Sequence, residues 1–135
     1  MNRRVAKGSA TGLLGVAAGF QAALAVGAPW GAAAYGGGHP GVLPNSLRGT
    51  SAAAMVVYSG LGYVVWSDRL APSVQRRVYA TLSGVFAVGA VMNAISPSMV
   101  EKVIWTPVTG VLAYSLWRAR PERVVVAAAA MGGAP

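Results

Sequence analysis

Cysteine is absent from this 135-residue chain, which removes disulfides, thiolate nucleophiles and cysteine-ligated metals together. Acid is nearly absent too. Asp68, Glu101 and Glu122 are the three carboxylates against eleven Lys and Arg, and His39 is the single histidine. Three scattered acids and one histidine make no metal-ligand set, and no serine has an evident base and orienting partner. No segment alternates with the period of a strand, so no glycine-rich phosphate loop can follow one. These absences predict a chain that is not an enzyme and holds no metal or cofactor. Charge of either sign is scarce, at 10% of residues, where a soluble domain carries about 25%. With 55% hydrophobic residues, the chain has too little polar surface to wrap a water-soluble core.

What is present is a set of long apolar runs. Residues 9–29, 49–66, 78–95 and 98–117 are close to the roughly 20 residues that cross about 30 Å of hydrocarbon. Each is too uniformly apolar for a helix with one wet face. Backbone groups in lipid have no water to bond, so spanning helices are the solution four such runs allow. The net charge of +8 would suit nucleic acid in a soluble protein. Here Arg3, Arg4 and Lys7 precede the first run, Arg69, Arg76 and Arg77 separate the second and third, and Arg118, Arg120 and Arg123 follow the fourth. Nine cations thus fall on one side and two, Arg48 and Lys102, on the other. That asymmetry predicts cytoplasmic ends and no nucleic-acid partner. Trp30 and Trp105 are placed toward the outer boundary, and Trp66, Tyr79 and Trp117 toward the inner one.

The predicted domain is 1–120, a four-helix transmembrane bundle of the all-α class with both ends inside. Between spans one and two, the Gly- and Pro-rich residues 31–47 predict an irregular extracellular loop. Pro44-Asn45-Ser46 marks the start of the second helix, with Arg48 in its first turn. Residues 121–135 predict a cytoplasmic tail, disordered or lying on the membrane face, since its apolar stretch is too short to span. A cleavable signal peptide competes for the N-terminus, but the run is long and Gln21 interrupts it.

Gly8-x-x-x-Gly12 and Gly15-x-x-x-Gly19, continued by Ala23 and Gly27, predict close helix packing, within the bundle or between two copies. Thr106-x-x-x-Gly110 is a shorter version in span four. Ser98 and Glu101 fit a capping box, and Pro107 predicts a kink just inside the fourth helix.

Gln21, Arg48, Asn93 and Glu101 map to a similar depth near the outer side. Such groups are costly against lipid and should turn inward and find one another. Arg48 and Glu101 are the expected ion pair, with Gln21 and Asn93 bonded beside them. The cluster then reads as an outward-facing polar pocket capped by the His39 loop, or as a structural network that fixes helix order.

Gly27-Ala28-Pro29-Trp30-Gly31, the Gly36-Gly37 turn, Val42-Leu43-Pro44, Arg48, Ser96-Pro97-Ser98, Glu101 and Trp105-Thr106-Pro107-Val108 lie in one arrangement over most of the chain outside the tail. This pattern resembles a family of uncharacterised small four-span bacterial integral membrane proteins. The resemblance implies the bacterial cytoplasmic membrane and no activity; nine arginines against two lysines also suggest a GC-rich bacterial genome. The resulting expectation is a multi-pass membrane protein with the lipid bilayer as its solvent, binding a small or lipidic ligand in its polar pocket. The alternatives are an accessory subunit with a membrane protein partner, and a small transporter acting as a homodimer. The last is weakened because span one carries Gln21 where four-span exporters carry a carboxylate.

Overall fold

The computed structural model describes residues 1–122, and among them it is all-helical, without strands. Helix α1 spans Arg3–Ala25, α2 Asn45–Ser67, α3 Pro72–Ile95 and α4 Thr106–Ala119. The Asn2 side chain accepts from the Val5 amide at 2.9 Å and so caps α1. Pro72 opens α3, where a missing amide costs nothing. Helix α2 starts at Asn45, as the Pro44-Asn45-Ser46 signal suggests, yet no side chain caps it.

Helix α1 is central. It packs on α2 and α4, and α4 packs in turn on α3. Its buried face is Ala6, Ala10, Leu14 and Ala18, four residues apart and therefore stacked along one stripe. Small side chains there let backbones approach closely, and Leu14 fills the space against Val65, Leu112 and Leu116. The glycine stripe is elsewhere. Gly8, Gly12, Gly15 and Gly19 are all exposed, and a methyl added to any of them would meet nothing within 4 Å. Packing within the bundle is therefore carried by the alanines, not by the glycines the spacing pointed to; Gly110 likewise has open space beside it.

Helices α2 and α3 meet loosely, through the Tyr58 and Phe86 rings at 6.3 Å and the Tyr79 hydroxyl, which donates to the Val65 carbonyl at 3.0 Å. Tyr79 is fully buried, so it is a core residue and not the boundary aromatic expected. Trp66 and Trp117 are exposed at that end, and Trp30 at the other.

Ahead of α4, Glu101–Trp105 forms a wide π-turn, and the Thr106 amide reaches back five residues to the Glu101 carbonyl. Pro107 follows it at once. Lacking an N–H, Pro107 cannot close the bond to the carbonyl four residues earlier, and in the turn just before it the bonding pattern is already widened. Helical structure is continuous over 99–119.

The outside of the bundle is apolar. Val56, Val57, Val88, Val91, Val103 and Val111 all stand more than half exposed. Helices α1 and α3 are each long and apolar enough to cross a membrane.

Candidate functional site

The site is built by the segment between α1 and α2. Gly27, Gly36, Gly37 and Gly41 carry positive φ, which turns the chain repeatedly, and two 3₁₀ turns, Gly31–Ala33 and Tyr35–Gly37, lie between. Gly31 is packed hardest. Its amide donates to the Gly41 carbonyl at 2.9 Å, and a methyl on its Cα would stand 1.9 Å from the His39 carbonyl oxygen. The loop has no regular element beyond these two short turns, as its composition suggests, and is nevertheless closely packed on itself.

Three bonds fasten this loop to the start of the fourth helical segment. Ser98 Oγ donates to the Ala32 carbonyl at 2.7 Å, Trp105 Nε1 to the Ala33 carbonyl at 2.9 Å, and the Gly36 amide to Glu101 Oε1 at 2.9 Å. The Tyr35 hydroxyl lies 2.9 Å from Ser51 Oγ on α2 and adds a fourth tie.

Glu101 is 7% exposed. Its other carboxylate oxygen accepts from the Ser96 hydroxyl, and its own amide donates to Ser98 Oγ at 3.3 Å. Half of the expected capping box thus forms. The reciprocal half does not, because the carboxylate is drawn across to the loop while the Ser98 amide donates to Ser96 Oγ. The expected Arg48–Glu101 ion pair does not form either. Arg48 turns to the end of α1, where Nε donates to the Ala25 carbonyl at 3.0 Å and the guanidinium lies beside Gly27. A cation at a helix C-terminus, satisfying a free carbonyl, is well placed there and has no reason to leave. Among the described residues, the ion pairs are those of Asp68, and Glu101 has none.

Beneath the loop is a pocket of about 150 Å³ between the four helical segments. Gln21, Asn93 and Glu101 all line it; Arg48 and His39 do not, and His39 is exposed in the loop. Asn93 Nδ2 reaches Thr109 Oγ1 at 3.4 Å, a weak bond, and Thr109 donates to the Trp105 carbonyl at 2.6 Å. Gln21 Oε1 is buried without any hydrogen-bond partner. The remaining wall is aromatic, from Phe20, Tyr35, Tyr58, Phe86 and Trp105. Phe20 meets Trp105 edge-on at 4.6 Å, which fixes both rings. Of these aromatics the residues announce only two, Phe20 next to Gln21 and Trp105 one turn from Glu101; Tyr58 and Phe86 lie deeper along α2 and α3 and no nearby polar residue marks them.

The opposite end holds a second polar cluster that no motif announced. Asp68, in left-handed conformation just past α2, pairs with Lys7 and lies 3.6 Å from Arg3. Gln75 Nε2, 97% buried, donates to Asp68 Oδ1 at 2.5 Å and to the Tyr79 hydroxyl at 3.1 Å. Arg3 completes the circuit to Gln75 Oε1 and the Ala119 carbonyl, both at 3.0 Å. All four helices are tied there. The Lys7 ammonium bonded to Asp68, with help from Gln75 and Arg3, holds its carboxyl below the usual value of 3.8 against a smaller opposing effect of burial.

No family model matches this chain, and no curated protein or solved structure shows significant similarity to it.

Proposed function

We propose that this chain is a non-enzymatic, multi-pass protein of the bacterial cytoplasmic membrane, with four spans and both ends inside, that binds a small ligand in the pocket beneath its outer loop. What supports the membrane reading is the exterior: valines stand exposed along the middle of the helices, while eight described Lys and Arg lie at the end holding Asp68 and two at the other. Exposed apolar surface of that extent is stable against hydrocarbon, not water. The continuous helix over 99–119 is about 32 Å long at about 1.5 Å per residue, enough for the fourth crossing. The proposed resemblance to small four-span bacterial membrane proteins agrees with this layout. The proposed tail, 121–135, falls almost wholly outside the described residues.

The single observation that carries the binding reading is Gln21 Oε1, buried in the pocket wall with nothing to accept from. An unpaired buried acceptor costs about 1–3 kcal/mol, and a bound donor removes that cost. Gentle extraction of the full chain in mild detergent, followed by mass spectrometry of what travels with it, tests the proposal. A stoichiometric small molecule, lost on Gln21→Leu, is the expected result; a chain that carries none and binds none on screening contradicts it.

A second reading, an accessory subunit or homodimer, draws on the unpacked glycines of α1. Their exposure leaves a smooth face from Gly8 to Gly19 that a partner helix could meet closely. Gly15→Leu should then abolish co-purification of the partner while leaving the small molecule bound.

A further inference from the structure

Two polar groups of the pocket have capacity left for accepting. Gln21 Oε1 has no donor, and each oxygen of Glu101 has one neutral donor, from Gly36 or Ser96, where a carboxylate can accept about four bonds in all. The one indole donor in the wall, Trp105 Nε1, is already spent on the Ala33 carbonyl. Charge points the same way. Asp68 and Glu122 lie at the cation-rich inner end, so Glu101 is the single acid at the outer end, and Arg48, the nearest cation in expectation, is committed to α1. A carboxylate 93% buried without an ion-pair partner is stabilised by whatever supplies a counter-charge.

The aromatic walls say what kind of cation. Calcium or magnesium needs six or more oxygen ligands and zinc three or four side chains, and the described residues contain no group of three or more metal-ligating side chains. Rings of Phe20, Tyr58, Phe86 and Trp105 instead suit an organic cation, whose charge the ring faces attract and whose apolar body they cover. Gln21 Oε1 asks for an N–H, which an ammonium bearing hydrogens offers. The volume of about 150 Å³ admits a molecule about the size of benzene with a short substituent.

We propose that the pocket takes a small protonated amine, with its N–H groups directed to the Glu101 carboxylate and Gln21 Oε1 and its apolar part against the aromatic rings. This rests on the reading of the pocket as a binding site and goes further by fixing the ligand's charge and donors.

The full chain in mild detergent is titrated with benzylamine and with benzyl alcohol, a neutral probe of the same shape, by calorimetry and by fluorescence of the tryptophans. The expected result is saturable one-to-one binding of benzylamine, at least about tenfold tighter than benzyl alcohol, with that ratio lost in Glu101→Gln. Equal affinity for the two probes overturns the amine and leaves the pocket standing, whereas binding of neither overturns both. Should Glu101→Gln fail to fold, Gln21→Leu carries the test, because it removes an atom that holds nothing in place. Benzylamine binding weakened about fivefold or more in that variant supports the proposal, and unchanged binding overturns it.

Discussion

The two ends of this bundle solve the burial of polar groups in opposite ways. At the end holding Asp68, the side chains of Asp68, Lys7, Arg3, Gln75 and Tyr79 bond to one another and, through the Ala119 carbonyl, join all four helices. At the opposite end, a loop is clamped onto the fourth helical segment by Ser98, Glu101 and Trp105, yet the pocket beneath retains an orphan acceptor and a carboxylate without an ion-pair partner. A satisfied network specifies a structure, while an unsatisfied one marks where something else is accommodated. Four perturbations separate those roles.

The largest effect should come from Gly31→Ala. Its new methyl collides with backbone, the His39 carbonyl, and not with a side chain that can swing aside. The loop cannot close, and a loss of about 3 kcal/mol is expected, read as a lowered melting temperature in detergent. Amide protection should fall at residues 31–41 and persist near Asp68; uniform loss would erase the distinction between the ends.

Tyr79→Phe attacks the end holding Asp68. It strips the buried Val65 carbonyl of its donor and Gln75 of an acceptor, at a cost of about 1–3 kcal/mol, measurable by the same melt, with the proposed binding at the pocket of the other end unchanged in the folded protein. Gln21→Leu should do the reverse. Removing an unpartnered buried acceptor stabilises the ligand-free protein by about 1 kcal/mol, and a clear loss of stability would mean that Gln21 has a structural partner after all.

The smallest effect is acid sensitivity at the end holding Asp68. Because folding lowers the Asp68 pKa, its contribution is fully present above 3.8 and is lost as pH falls from there through the lower folded value. The side chain is 43% exposed, so no more than about 1 kcal/mol is at stake. Asp68→Asn should flatten the stability profile below pH 4 and leave neutral pH little changed; an unaltered acid limb would show that Asp68 does not set it.

Much of this was legible in the residues. Four helices, the helix start at Asn45 and the shared depth of Gln21, Asn93 and Glu101 follow from apolar length, punctuation by proline and the cost of polar groups in lipid. The failures have a common cause. Pairing Arg48 with Glu101 assumed that opposite charges at one depth meet, but Arg48 had a nearer carbonyl at the end of α1 and Glu101 a nearer amide at Gly36. Spacing singled out the glycines of α1 as its packing face, whereas Ala6, Ala10 and Ala18, which no such motif marked, took the core. The Asp68 network depends on Gln75 and Tyr79 pointing toward the end of α2 from another helix, a relation that appears only once α2 and α3 are placed side by side.

The central claim is that hydrocarbon surrounds these helices and that the pocket end lies outside. The absence of cysteine makes this directly measurable. Single substitutions His39→Cys, Met99→Cys and Arg69→Cys, all at exposed positions, are treated with a membrane-impermeant maleimide in intact bacterial cells expressing the full chain. Labelling at 39 and 99 without permeabilisation, and at 69 only after it, is the predicted result. Labelling at 69 as readily as at 39, or recovery of the protein in the soluble fraction, would contradict the account.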